Sequence, residues 1–406
     1  MNAERKTIDN LREMVSLLRP GGIGHDDENS FKSWGFQADG IHVETAGASR
    51  YVECSRAAHE SKAANDYDYA DFEKRVVSNF FKTVQNGDPP TDSELKEFLK
   101  TLESEKTFPC LVTRELHGAH LANSSGPLAL GPFIIYNYKL HKNHIHPNAE
   151  VDPQIDGHAE YLIGINVEAK TIERAKQKAD EQFEVFERLV RFMVGPNTRF
   201  EVNVFGAHGR YSENAYIFSD GRPLSQQFTW KGSIQSLPLD NEHFRKEETG
   251  MNLLWNATKN SSTPALHQRL MNAAKWLGDS YLESDKASAF IKAAIALEVL
   301  FTSNEKSIIS PSILSSISES VACILGDDLK TRISLEKRLK DHYSTRSAIA
   351  HSGKNNVSQS DVEEFRWMVR QAIARVMGTP TLRDLGTIEK LHEHLKSLKY
   401  SFAPIH

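Results

Sequence analysis

Cysteine is nearly absent from the chain. Cys54, Cys110 and Cys323 are far apart and odd in number, which argues against a disulfide framework and for a reducing, cytoplasmic setting. Long apolar runs are missing as well. No stretch of about 18 apolar residues occurs, so no membrane-spanning helix is expected. The opening residues, MNAERKTIDNLREMVSLL, carry acidic side chains and no apolar core, unlike a secretory leader. There is no P-loop, no G-x-S-x-G elbow and no Cys/His nucleophile pattern. GAHGR, at 206–210, has glycines without the G-x-G-x-x-G spacing and reads as a turn. Trp34, Trp230, Trp255, Trp276 and Trp367 are scattered, with no pattern of a stacking platform for single-stranded RNA. Positive charge is in deficit: 49 Lys+Arg face 54 Asp+Glu, a net charge of −5, which speaks against a non-specific nucleic-acid binder.

What is present is the composition of an ordinary globular protein, 39% hydrophobic and 25% charged, in a chain long enough for two cores. Residues 1–258 read as an α+β domain, in which 1–45 pack loosely. The segments 108–116 (FPCLVTREL), 131–138 (GPFIIYNY), 161–167 (YLIGINV), 200–205 (FEVNVF), 214–218 and 226–230 have the apolar and β-branched content of strands in a largely antiparallel sheet. Cys110 falls within the first and is expected in the core. Ile172, Ala175, Ala179, Phe183, Phe186, Val190 and Met193 repeat at three and four, predicting a long helix that Gly195-Pro196 ends. KNSSTP, at 259–264, reads as a linker. From 265 to 400 the pattern turns wholly helical, with helices predicted at about 265–283, 286–303, 310–326, 329–351, 360–378 and 386–398. Ser360 with Glu363 has the spacing of a capping box for the fifth.

The last helical stretch before a loop is YSTRSAIAHSGK, at 343–354. Five residues turn an α-helix through about 500°, so Arg346 and His351 lie roughly 140° apart and do not share a face. Either the pair has no joint role, or the helix ends near His351 and a site is completed from elsewhere. Gly353 favours an ending, and a histidine in a last turn is also a common partner of the helix dipole. Just upstream, KTRISLEKRLK (330–340) concentrates the basic excess of the segment from Ala265 onward, which holds 19 Lys+Arg against 16 Asp+Glu. Lys337, Arg338 and Lys340, with Lys354 beyond the motif, are either a solvated helix face or a phosphate-facing surface.

Set behind AFIKAAIALEVLFTS (289–303) with Glu298, the order Tyr343, Arg346-Ser347, His351-Ser352-Gly353 and a final amphipathic helix resembles the C-terminal domain of the Apea-like HEPN family, over about residues 265–380. The resemblance implies an all-α bundle that dimerises and brings two Arg-His motifs into one cleft. Active members of that family cut RNA without a metal. The ribose 2′-OH would attack the adjacent phosphorus with His351 as general base or acid and Arg346 holding the phosphate, giving a 2′,3′-cyclic phosphate and a 5′-OH. Glu298 and Tyr343 would orient Arg346; a helix-surface ion pair and a packed aromatic are the plainer roles for the two. No cofactor is implied. Antiviral defence or toxin action in the cytoplasm is the biological setting the resemblance suggests. Ser347 departs from the Asn, Asp or His often found there in active members, so the alternative is a non-catalytic dimerising or sensor module that binds nucleic acid or nucleotide. A further possibility is a metal-dependent hydrolase built on His117, His120, His141, His144 and His146, although their spacings match no zinc motif and a polar histidine-bearing loop is the simpler reading.

Overall fold

The computed structural model describes residues 3–21, 33–36, 41–63, 65–123, 125–145, 160–197, 199–205, 211–219, 222–231, 235–259, 262–302, 311–352 and 357–400. The chain divides into two compact units, 1–112 with 166–181 and 113–165 with 182–406. Residues 1–258 therefore contribute to both, whereas 265–400 fall wholly in the second. The described residues are mostly helical, with small sheets in the N-terminal half. No described helix is long and apolar enough to cross a membrane.

In the first unit, α1 (Ala3–Ser16), α2 (Thr45–Lys62), α3 (Tyr69–Asn86) and α4 (Asp92–Ser104) accompany a three-stranded antiparallel sheet. Its strands β1 (Leu18–Pro20), β2 (Ser33–Phe36) and β3 (Ile41–Glu44) stand in the order β1-β3-β2. Of the described residues in 1–45, those of α1, β1 and β3 are well packed rather than loose. Leu11, Met14 and Val15 repeat at three and four on α1, are almost fully buried and join the core of this unit with Leu18 and Val43. Thr91 and Glu94 form a capping box that starts α4.

The next strands are β4 (Phe108–Glu115), β5 (Ala119–His120), β6 (Leu128–Leu130), β7 (Phe133–Asn137) and β8 (Tyr161–Ala169), with α5 (Tyr138–Ile145) after β7. A four-stranded sheet runs in the order β4-β8-β7-β6. Cys110 on β4 is half-buried. After α6 (Ile172–Val194) come the hairpin strands β9 (Tyr211–Ser219) and β10 (Arg222–Lys231), and then β11 (Leu237–Pro238), which pairs in parallel with β5. FEVNVF is not a strand. Only an isolated bridge joins Asn203 to His117, because the amides of Val204 and Phe205 donate to the Glu187 carboxylate on α6 and leave no row of donors for a neighbour. GAHGR lies outside the described residues. In the second unit Phe133, Phe186 and Trp255 pack ring to ring, with centroids 5.2 to 6.0 Å apart.

From α7 (Met251–Lys259) onward every described element is helical: α8 (Ala265–Leu282), α9 (Lys286–Phe301), α10 (Pro311–Leu325), α11 (Leu329–Ser352), α12 (Gln359–Gly378), α13 (Pro380–Arg383) and α14 (Ile388–Tyr400). KASAFIKAAIALEVLF is buried on nearly every face, so α9 is the central helix and packs against α8, α10, α11 and α12. The capping box of α12 is Ser358 with Asp361, not Ser360 with Glu363. The cap lies two residues earlier than its apolar repeat suggests, and Glu363 is engaged by Gln359 one turn before it.

Candidate functional site

The two central helices place the candidate residues. Leu335, Leu339, Tyr343 and Arg346 are spaced four, four and three apart on α11, so they share one face of that helix. Leu339 and Tyr343 are buried to 2% exposure or less. Arg346 continues that face, and on α9 it meets Glu298, the one ionisable side chain among the buried residues of that helix.

Arg346 and Glu298 are joined along two edges. Nη2 donates to Oε2 at 3.4 Å, and Nε approaches Oε1 at 3.2 Å. The second approach is poorly aligned, so it is an ion contact rather than a hydrogen bond. The side chains are 10% exposed at Glu298 and 21% at Arg346, which leaves the carboxylate in the apolar interior and part of the guanidinium facing water. Burial raises the carboxyl above its ordinary pKa, and the charge and hydrogen bond of Arg346 oppose that rise. Tyr343, edge-on to Phe365 at 6.2 Å, is fully enclosed, and its hydroxyl has no hydrogen-bond partner among the described residues. Burial, and secondarily the Glu298 charge, push its phenol well above the usual range. Tyr343 thus acts on the pair through packing and field, without a hydrogen bond to either member.

His351 stands in the last turn of α11 and is exposed. It does not meet Arg346 within one chain. Ser347 is half-buried. A histidine that the sequence did not single out is built in one turn before Arg346. His342 is 7% exposed, stacks on Phe365 at 4.9 Å and 29°, and lies 3.9 Å from Glu364. Burial lowers its pKa, which keeps the imidazole neutral in this apolar stack.

The basic face is largely occupied by its own carboxylates. Arg338 pairs with Glu364, and Lys340 with Glu336 at 2.6 Å. Lys337 is exposed and has no carboxylate partner among the described residues; Lys354 lies outside them. The N-terminal histidines are dispersed among local tasks. His117 approaches Glu115 at 3.1 Å, His120 contacts Ser236 at 3.0 Å, and buried His141 accepts from the Asn137 amide at 3.0 Å. His144 meets His141 ring to ring at 6.1 Å, and His146 lies outside the described residues. Among the described residues no three of His, Cys, Asp or Glu come together where they could hold a metal ion. No family model, no curated protein and no solved structure matches the chain.

Proposed function

We propose that the chain is a metal-independent RNA endonuclease of HEPN type, acting as a homodimer or higher oligomer, with antiviral defence or toxin action as its setting. The observation that carries this reading is the Glu298–Arg346 pair. It fixes an arginine at the edge of a helical core, with part of its guanidinium still in water, five residues before an exposed histidine at the end of the same helix. An arginine held from behind by a carboxylate is a preorganised donor for a phosphodiester. In the proposed reaction His351 takes the proton of the ribose 2′-OH, the O2′–P bond forms, and the P–O5′ bond breaks. The departing O5′ receives a proton from an imidazolium, so the products are a 2′,3′-cyclic phosphate and a 5′-OH. DNA lacks the attacking group and should be untouched.

A second reading, a non-catalytic module that only dimerises or binds nucleotide, draws support from the same geometry. Arg346 already has a carboxylate partner, its position on α11 is about 140° from that of His351, and Ser347 stands beside it. Purified protein incubated with structured RNAs, with and without EDTA, separates the two readings when run beside Arg346→Ala and His351→Ala. Cleavage that persists in EDTA and is lost in both variants supports the nuclease. Intact RNA from every pool, with dimers still formed, favours the module. A monomer at micromolar concentration sinks the two-chain site.

A further inference from the structure

The second unit holds a small cavity apart from the Glu298–Arg346 pair, in the seam between α6 and α8. It encloses about 190 Å³ and is lined by Arg188, Asn272, Lys275, Trp276 and Asp279. The seam is unusually tight. A Cβ built on Gly278 would sit 1.9 Å from the Arg188 carbonyl oxygen, so the two backbones touch there. One wall, α6, lies outside the segment that carries the family resemblance.

Around this gap three cations, Arg188, Lys275 and Lys292, face three carboxylates, Glu184, Asp279 and Glu283, but the contacts are unevenly shared. Asp279 is shared by Arg188 at 3.7 Å and Lys292 at 3.3 Å, and Arg188 also reaches Glu184 at 3.2 Å. Lys292 takes Glu283 as well, at 2.8 Å. The ammonium of Lys275 makes no ion pair and no hydrogen bond with a described residue, although it is half-buried. Burial and the nearby Arg188 charge lower its pKa, against the opposing pull of the Glu184 carboxylate. Beside it the indole of Trp276 is 37% exposed, although it lines the cavity. Asn272 adds an amide that can both donate and accept.

We infer that this seam is a binding site for a nucleoside phosphate, either free or as one residue of a single-stranded RNA. The phosphate pairs with Lys275 and Arg188, the base lies on the Trp276 indole, and Asn272 meets a base edge. The cavity is too small to enclose a whole nucleotide, so the exposed indole supplies the rest of the contact surface. The inference does not depend on the nuclease reading, because binding is measured without cleavage.

The test is calorimetric titration of the full chain with four nucleoside 5′-monophosphates, with their nucleosides, with inorganic phosphate, and with a 2′-O-methyl oligonucleotide that cannot be cleaved. The monophosphates are expected to bind at least tenfold more tightly than either nucleoside or phosphate alone. Lys275→Met and Trp276→Ala should each weaken them about tenfold, and Trp276→Phe should bind within about threefold of the parent, at unchanged melting temperatures. Tighter binding of the oligonucleotide assigns the site to an RNA strand, and equal or weaker binding assigns it to a free nucleotide. Monophosphates that bind no better than phosphate, or variants that bind like the parent, overturn the assignment.

Discussion

The Glu298–Arg346 pair makes a prediction in which the two halves are unequal. Arg346→Met keeps the aliphatic stem and removes the charge, so it leaves a carboxylate on a residue 8% exposed, with apolar α9 around it. Breaking a buried pair in this way costs about 3–5 kcal/mol, with the low end expected here because a carboxyl whose pKa is already raised can take up a proton instead. Glu298→Gln leaves the other charge, but Arg346 is 21% exposed and can turn toward water, and the amide oxygen still accepts. That change should cost about 1–2 kcal/mol, the scale of one charged hydrogen bond. With both replaced, no charge is stranded, so the double variant should be about 1 kcal/mol or more better than the sum of the singles. Four of the five tryptophans, Trp230, Trp255, Trp276 and Trp367, belong to the second unit and only Trp34 to the first, so urea unfolding followed by tryptophan fluorescence reports mainly on the second. Additive effects within about 0.5 kcal/mol, or a Glu298→Gln variant weaker than Arg346→Met, would refute the reasoning.

The same pair sets a pH dependence. Because the folded carboxyl of Glu298 holds its proton more tightly than the unfolded one, the folded state binds more protons between the ordinary and the raised pKa, and stability falls as pH rises through that window. Relative to Glu298→Gln, the parent should therefore lose stability from the ordinary carboxylate pKa upward and then level off. In Arg346→Met, where the opposing charge is gone, the decline should run to higher pH; urea midpoints between pH 4 and 8 measure both. Gly278→Ala should cost about 3 kcal/mol or prevent folding, since its methyl has to displace the Arg188 carbonyl; a fluorescence-detected midpoint equal to that of the parent would show that the seam is not tight. Arg370 donates to the carbonyls of Phe192 and Met193 at 3.3 and 3.0 Å and so closes the C-terminus of α6. Arg370→Met should cost about 1.5–3 kcal/mol and speed amide exchange in the last turn of α6, and unchanged exchange there would rule the clamp out.

Six of the seven described helices from residue 265 onward were legible, because apolar side chains recur in them at helical spacing; the four-residue α13 was not. The stretch predicted at 329–351 is Leu329–Ser352, and that at 286–303 is Lys286–Phe301. The helix α2 was not legible, since its buried positions include Cys54, Ser55 and Ala58, small or polar residues that leave little period in hydropathy. FEVNVF misled for a different reason. Its alternation suits a strand, but a carboxylate on another element, Glu187, claims the amides, and nothing within six residues reports that. The seam cavity was hidden for the same kind of reason. Arg188 and Trp276 are far apart in the chain and meet only because a glycine lets two helices close on each other. A scattered tryptophan in the sequence is thus partly exposed at this cavity in the fold, beside a lysine that makes no ion pair with a described residue.

The helix α11 separates the two tasks that the proposed chemistry needs. A rise of about 1.5 Å per residue puts His351 roughly 7.5 Å along the axis from Arg346, as well as about 140° around it, so the two side chains of one copy leave the helix in different directions. Glu298 uses the Nε and Nη2 edge of the guanidinium and leaves Nη1 with no partner among the described residues, so orientation from behind does not consume the donors that a phosphate would take. A second copy that brings its own exposed helix end to this face would supply the missing imidazole, whereas a lone chain would hold an arginine with nothing to move the proton. Cleavage should therefore depend on protein concentration through the dimerisation equilibrium. A mixture of Arg346→Ala with His351→Ala chains should regain about a quarter of the composite sites or more, depending on which residues each site draws from which copy. Full activity at dilutions where the protein is monomeric would leave the two-chain site without support.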